Sequence, residues 1–357
     1  YMGSLRPMDM IDEDIRLAET LPSRFYTEPA IFESQKDFFE KWQFAAHIND
    51  LKENNIIPLD LIEEVNGESM VLVKDEQIHC FSNVCTHRGM RLATKECKAK
   101  GLRCMYHGRT FDLEGNFINM PEFDEAMNFP NEQDNLHSFP VSEWNGLLFS
   151  AVKAENEFDI SYLNSRLSHL DIQSFTRDPE RDREHTIDAN WALYCENYLE
   201  GFHIPYVHPE LHKVLEHSEY RVECFEGGVL QTGIAREDED SFELPTDSPD
   251  YGMRVAAYYV WLFPNLMLNF YPWGLSINIV IPLSVNKTKI IYRGYVKNPE
   301  LLSKGAGKEL DTVELQDQWV VEMVQRGMYS SAYDRGRYSP KMERGVHHFH
   351  RMLSREN

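Results

Sequence analysis

No apolar run in the 357 residues approaches the roughly 18 needed to cross a membrane, and the stretch Tyr1 to Ala30 lacks the basic-then-apolar order of a signal peptide. The sequence therefore reads as soluble and cytoplasmic. Cysteine is scarce, six residues without regular spacing, which argues against a disulfide scaffold. Cys80, Cys97, Cys195 and Cys224 are expected as reduced core thiols. Positive charge is in deficit, 36 Lys and Arg against 58 Asp and Glu, for a formal charge of −22. Such a surface repels phosphate backbones and anionic lipid, so nucleic-acid and membrane partners are not expected. A cationic substrate or a basic redox partner would be drawn in, although acidic surfaces also serve solubility alone. Neither an internal repeat nor a nucleotide-binding glycine motif is visible. With 42% hydrophobic residues, the chain is long enough for two domains and too long for one small electron carrier.

What is present is a pair of mixed motifs, Cys85-Thr-His87-Arg-Gly and Cys104-Met-Tyr-His107-Gly. Two thiolates and two imidazoles can be shared across a [2Fe–2S] cluster, cysteines on one iron and histidines on the other. Neutral His in place of anionic Cys raises the reduction potential and makes a one-electron relay. A structural zinc site is the competing reading. Zinc sites usually pair Cys-x2-4-Cys with His-x3-5-His, whereas each short pair here is mixed and can give one ligand to each of two metals. Arg88-Gly89 and Gly108-Arg109 supply turn chemistry for two loop tips.

This pattern resembles the Rieske domain of Rieske non-haem iron oxygenases over about residues 40–152. Met105 stands where that family often has Pro, and Arg109 where it often has Trp; neither is a ligand.

The expected fold is α+β. Phe38, Phe39, Trp42 and Ala45 recur at helical spacing from Ser34 to Ala45, within an N-terminal helical arm over residues 1–39. A small antiparallel-β domain over 40–152 should follow, with short runs from Ile62, Met70 and Ile78, turns at Asn66-Gly67 and Asp75-Glu76, and a hairpin at Glu114-Gly115-Asn116. Polar residues from Glu155 to Asp182 mark a junction, and residues 153–357 form the second domain. There a helix starts near Trp191, strands recur at Val229–Ile234, Ala256–Leu262, Leu275–Pro282 and Lys289–Val296, and a long amphipathic helix begins near Leu310 to end the chain. A sheet against one long helix leaves a pocket between them. Residues 236–250 read as a mobile solvated loop that could act as a lid.

The second domain carries Glu200-x2-His203-x4-His208. Two histidines five apart point about 140° from each other on an unbroken helix. Pro205 disfavours helix at the residue before it, so the helix should end near His203 and let His208 converge on the same metal. Glu200 shares a face with His203 and can accept its non-ligating N–H. Two His and one carboxylate with open positions is the arrangement of non-haem Fe(II) oxygenases. For the carboxylate, a wheel of about 100° per residue puts Trp319, Met323, Val320, Val313, Val324 and Met328 on one arc, with Asp317 inside it and Asp311, Glu314 and Glu322 outside. A carboxylate facing an apolar interior is costly unless it meets a charge such as a metal. An ordinary helical Asp on an imperfect face stays open on the wheel alone.

The run from Gln316 to Tyr338, continuing to Val346-His347-His348-Phe-His350, is similar to the C-terminal region of choline monooxygenase-type enzymes, as is Phe263 to Gly274. The resemblance makes Asp317 an iron ligand beside His203 and His208. It makes Glu200 the carboxylate bridging the iron to the cluster of a neighbouring subunit, where most relatives have the shorter Asp. His347, His348 and His350 are expected to serve packing or surface.

The resemblance implies a small Rieske domain with a helix-grip-like catalytic domain in a head-to-tail homotrimer, fed by a separate NAD(P)H-dependent flavin or ferredoxin-type reductase. The expected reaction uses O2 to hydroxylate a C–H next to nitrogen in a small quaternary-ammonium or N-methyl compound of the choline, betaine or carnitine kind. The hydroxylated carbon then collapses to an aldehyde hydrate or to demethylated amine and formaldehyde. Tyr194, Phe202, Tyr206, Trp261, Phe263, Phe270, Tyr271 and Trp273 include candidates for holding such a cation by cation–π attraction, most of them belonging to the core. Hydroxylation of an aromatic ring is the alternative reaction. A Rieske electron carrier without oxygenase activity is the alternative of another class.

Overall fold

Two units make up the computed structural model, which describes residues 10–355. One comprises Asp37–Ser161 and Asp171–Gln173; the other holds the chain up to Lys36, Tyr162–Leu170 and the chain from Ser174 onward.

The first unit consists mainly of three small antiparallel sheets. In order, they are Gln43–His47, Leu147–Ser150 and Val141–Trp144; Ile56–Pro58, Met70–Lys74, Ile78–Ser82 and Ser138–Phe139; and Leu102–Arg103, Thr110–Phe111 and Phe117–Asn119. Strand alternation splits its core in two. Val71 and Val73 pack with Phe81, Phe111, Cys85 and Cys104, while Met70 and Leu72 pack with Ala46, Cys80 and Leu148. The loops carrying the Cys and His pairs thus grow from an apolar floor.

Two expectations fail in this unit. Ile62–Val65 is not a strand but part of the Asp60–Asn66 helix, whose first turn carries Asp60 and Glu63 where the helix dipole favours anions. The Asn66-Gly67 pair read as a hairpin turn is that helix's end, with the Gly67 N–H donating to Glu63 O at 2.7 Å. Nor does a helix span Ser34 to Ala45. A Pro29–Ser34 helix and a Lys36–Glu40 3-10 turn give way to the fully buried Gln43–His47 strand. Pairing of that strand with Leu147–Ser150 overrides its helical spacing.

The N-terminal stretch is not a separate arm in its described part. Thr20 N–H donates to Gly336 O at 3.0 Å and Ser23 N–H to Asp334 O at 2.8 Å, joining it to the second unit. Residues 1–9 of the expected arm lie outside the described residues.

The second unit is built on an eight-stranded antiparallel sheet. Its order is Thr176–Arg177, Lys287–Val296, Gly274–Ser284, Leu266–Tyr271, Val255–Leu262, Gly228–Ile234 and Arg221–Phe225, with Arg183–Ile187 also pairing to Lys287–Val296. The four expected strands are there. Thr176–Arg177, Arg183–Ile187, Arg221–Phe225 and Leu266–Tyr271 are additional. The long helix is Leu310–Met328, but it does not end the chain. A final helix, Arg344–Arg355, buries Val346, Phe349, His350 and Leu353 at helical spacing. His347 and His348 lie 2.8 and 2.9 Å from the carbonyls of Asp12 and Phe225, and His350 lies 2.9 Å from Glu196, so all three serve packing. The 236–250 loop is pinned at its far end. Asp250 accepts from Arg166 at 3.1 Å and from Tyr258 at 2.9 Å.

The long helix faces inward differently from the wheel. Its buried residues are Glu314, Gln318, Val321 and Gln325, while Leu315 and Trp319 are 56% and 64% exposed. Hydrogen bonds set this orientation. Gln325 accepts from Asn190 N–H at 2.8 Å and donates to Tyr26 O at 3.2 Å; Gln318 donates to the Tyr292 hydroxyl at 3.4 Å. No helix among the described residues is long and apolar enough to cross a membrane.

Candidate active site and cluster loops

The metal-ligand types of the second unit meet where the chain leaves the Trp191–Tyr198 helix. That helix begins at Asn190, whose side chain caps Ala192 N–H at 3.0 Å, and it ends at Tyr198, five residues before the expected His203. Pro205 does not stop a helix here. It sits in the first turn of a new one, Ile204–Val207, where a missing N–H costs nothing. His203 and His208 flank that single turn as its two caps. Their rings approach to 5.1 Å at 78°. Gly201 lets the connecting turn close, because a Cβ there would lie 2.8 Å from the Tyr220 ring.

From the long helix, Asp317 Oδ1 lies 2.9 Å from His208 Nε2 and 3.5 Å from His203 Nε2. Ligand atoms of His203, His208 and Asp317 all fall within 4.8 Å of one another, the one such group of three among the described residues. Their outer nitrogens are spoken for. His203 Nδ1 lies 2.7 Å from Glu200 Oε1, and His208 Nδ1 lies 2.7 Å from Gln316 Oε1. Both partners are acceptors, so each Nδ1 carries the proton and each Nε2 presents a lone pair inward. Burial lowers the pKa of His203, but the hydrogen bond and charge of Glu200 together with the charge of Asp317 leave it raised overall. The other Glu200 oxygen receives the backbone N–H groups of Phe202 and His203, the latter at 3.1 Å, which fixes the carboxylate on the turn.

Gln316 was not singled out from the sequence, although its place directly before Asp317 was the available signal. Gln316→Ala is expected to weaken iron binding by about 10- to 100-fold, the usual effect of losing a group that orients a ligand imidazole. Competition against a graded series of chelators measures this, and an unchanged affinity would mean that the His208 ring is held by packing alone.

Around the triad lies a pocket walled by tyrosines. Tyr194, Tyr198, Tyr220, Tyr259 and Tyr271 line it together with Glu200, Asn269, Ser276, Asn278 and Glu314. Register explains the sheet's share. Tyr259 is opposite Asn269 and Asn269 opposite Ser276, while Tyr271 and Asn278 stand two residues along their strands on the same face. Of the other aromatics considered from the sequence, Trp261, Phe270 and Trp273 are core residues, and Phe202 and Tyr206 are exposed.

In the first unit the two Cys loops repeat one geometry. Cys85 N–H donates to Met90 O and Cys104 N–H to Arg109 O, each at 2.8 Å; Gly89 and Gly108 N–H return to Cys85 O and Cys104 O, each at 3.0 Å. Both glycines have left-handed backbones, φ 74° and 80°. The thiols are buried and the His87 and His107 rings lie 4.8 Å apart. His107 Nδ1 is buried without a hydrogen-bond partner, as a metal-ligating nitrogen would be. Burial raises the Cys85 thiol and its neighbour Cys104 adds to this, while Arg109 opposes it. Arg109 itself is buried beneath Phe117, Phe123 and Phe129, with its centre 5.3 to 5.6 Å from their rings. It donates to Thr86 at 2.8 Å and to Asp134 at 3.1 Å, so it braces the loop as a large aromatic would.

Residues 41–140 match the family described as Rieske [2Fe-2S] domain, and residues 173–356 match ring hydroxylating alpha subunit (catalytic domain). The chain is 32% identical to a chloroplastic choline monooxygenase of Arabidopsis thaliana, over 94% of this chain and 82% of that protein. It is 29% identical to the carnitine monooxygenase oxygenase subunit of Escherichia coli (strain K12), over 99% of both. A solved quaternary ammonium Rieske monooxygenase, described in connection with carnitine oxidation and inter-subunit electron transfer, superposes with a TM-score of 0.81 at 25% identity, covering 100% of both chains. Naphthalene 1,2-dioxygenase from Rhodococcus sp. shares the fold, with a TM-score of 0.73 at 18% identity over 94% of this chain and 93% of that one. With a Rieske domain ahead of a ring-hydroxylating catalytic domain, and relatives at this level along nearly its whole length, the chain belongs to the ring-hydroxylating alpha-subunit family and is a Rieske oxygenase, with a [2Fe–2S] cluster and a mononuclear iron as its cofactors.

Proposed function

We propose that this chain oxidises a C–H bond next to nitrogen in a small quaternary-ammonium or N-methyl compound, with His203, His208 and Asp317 holding the iron and Cys85, His87, Cys104 and His107 the cluster. When bound, the iron supplies O2 activation with electrons delivered singly through the cluster. The chain's own residues do the rest. Glu200 and Gln316 keep the two imidazoles in the ligating tautomer, and the tyrosine walls exclude water and face a cation with their ring electrons. The observation that carries this reading is the tyrosine-lined pocket around the His203, His208 and Asp317 group. The names of the choline and carnitine monooxygenase relatives support the same substrate class.

The active assembly in this reading is a head-to-tail homotrimer in which Glu200 links the iron of one copy to the cluster of the next. Supporting it are exposed apolar side chains on both sides of such a junction: Trp319, Leu315 and Tyr206 near the iron, Met105 and Tyr106 at the cluster tip. Tyr106 stacks on His107 at 3.7 Å. A separate reductase supplies the electrons. None of the six cysteines is in a disulfide, which fits a reducing compartment such as the cytoplasm.

The test is oxygen uptake with a surrogate reductase across choline, betaines, carnitine and aromatic acids. Uptake coupled to product is expected with one of the quaternary-ammonium compounds. Coupling to aromatic acids alone would replace this substrate class with ring hydroxylation, and a protein that is reduced and reoxidised without any product would be an electron carrier.

A further inference from the structure

We infer that Glu314 is the counter-ion that selects a positively charged substrate, an assignment that rests on the quaternary-ammonium reading above and names the residue behind it. Glu314 lies on the inward face of the Leu310–Met328 helix, lines the same pocket as the metal triad, and is 7% exposed. Its Oε2 atom is buried with no hydrogen-bond partner. A carboxyl group in that position is costly unless a charge or a donor completes it.

Among the described residues no cation is hydrogen-bonded to that oxygen. From its own helix Glu314 feels Asp311 and Asp317, both of its own sign. The cation that acts on it, Arg183, is committed to Asp311 at 2.7 Å. The other elements present phenols. Tyr194 from the Trp191–Tyr198 helix, Tyr271 from the Leu266–Tyr271 strand and Tyr292 from the Lys287–Val296 strand are all made less acidic, first by burial and also by the Glu314 charge. Burial above all raises the Glu314 carboxyl to about 8, the direction expected of a carboxylate that lacks a cation. A permanent cation entering among the tyrosines draws the carboxyl to its ionised form, and the proton leaves to solvent.

Charge balance points the same way. An Fe(II) ion held beside Asp317 and Glu200 is formally neutral, so Glu314 is the carboxylate left over for a monocation. Without it, a trimethylammonium group would be held by ring faces alone.

The experiment is calorimetric binding to the iron-loaded full-length protein under anaerobic conditions. The probes are choline and its homologue one methylene longer, each paired with its neutral isostere in which carbon replaces nitrogen. Wild type is expected to prefer each cation over its isostere by about tenfold or more, as a desolvated charge pair gives. Glu314→Gln, which keeps the shape, should lose that preference while binding the neutral isosteres unchanged. Glu314→Asp, which keeps the charge, should retain part of it. A wild-type preference that survives unchanged in Glu314→Gln overturns the assignment and leaves the substrate class standing. A wild type without preference for either cation removes the quaternary-ammonium reading and the assignment with it.

Discussion

Asp317→Ala is expected to lose the mononuclear iron, to keep both irons of the cluster with its visible spectrum, and to drop substrate oxidation to background. The reasoning is electrostatic as well as geometric. Asp317 Oδ1 sits 2.9 Å from His208 Nε2, in the one compact group of three that could hold an ion among the described residues. Take the carboxylate away and two neutral imidazoles must hold a doubly charged ion in a half-buried pocket, with one ligand fewer and no negative charge from Asp317 to offset it. The residues proposed to hold the cluster belong to the other unit, with a separate core around Phe81 and Phe111, so their spectrum reports independently. Metal analysis with visible absorption decides the matter. Loss of both centres together would mean that Asp317 supports folding, and retention of the iron would assign the third ligand elsewhere.

Two inactive chains are expected to restore one another. Asp317→Ala keeps a working cluster, and Cys104→Ala keeps a working iron site. If electrons cross between copies, co-expressed chains isolated as mixed head-to-tail trimers should regain activity at about one junction in three, the single junction of each ring where an intact cluster meets an intact iron. Each variant alone should stay at background. Differently tagged chains, purified through both tags and assayed with a surrogate reductase, provide the measurement. A mixed assembly that stays silent would place the transfer within one chain and remove the bridging role of Glu200.

The residues proposed to hold the cluster are legible because the signal is local. Each Cys and His pair sits in one tight loop, and the glycine that closes it is adjacent. His203 and His208 were legible for the same reason, but the local structure differs. Pro205 begins a turn of helix between them instead of ending one before them, and both placements let the imidazoles converge. Asp317 is proposed from the sequence by reasoning that the structure corrects. The apolar arc with Trp319 and Val324 is not the buried face; Glu314, Gln318 and Gln325 are, held by hydrogen bonds that no periodicity reveals. Asp317 lies where the two faces adjoin. That same inversion hid Glu314, which a wheel drawn on hydrophobicity places outside. The Arg344–Arg355 helix escaped because histidines and arginines interrupt its stripe. Leu266–Tyr271 escaped because Asn269, pointing into the pocket with its amide donated to Ser276 O at 3.0 Å, breaks an apolar run.

The central claim is that electrons held by the cluster are spent at the iron on a C–H bond beside nitrogen. It is tested most directly by a single turnover: fully reduced protein, freed of reductase, mixed with isotopically labelled oxygen gas and the quaternary-ammonium compound that best stimulates uptake. The account predicts that the cluster reoxidises in step with hydroxylated or dealkylated product, no more than one per mononuclear iron, with label in the oxidised carbon fragment. Reoxidation of the cluster at the same rate with no labelled product would contradict it.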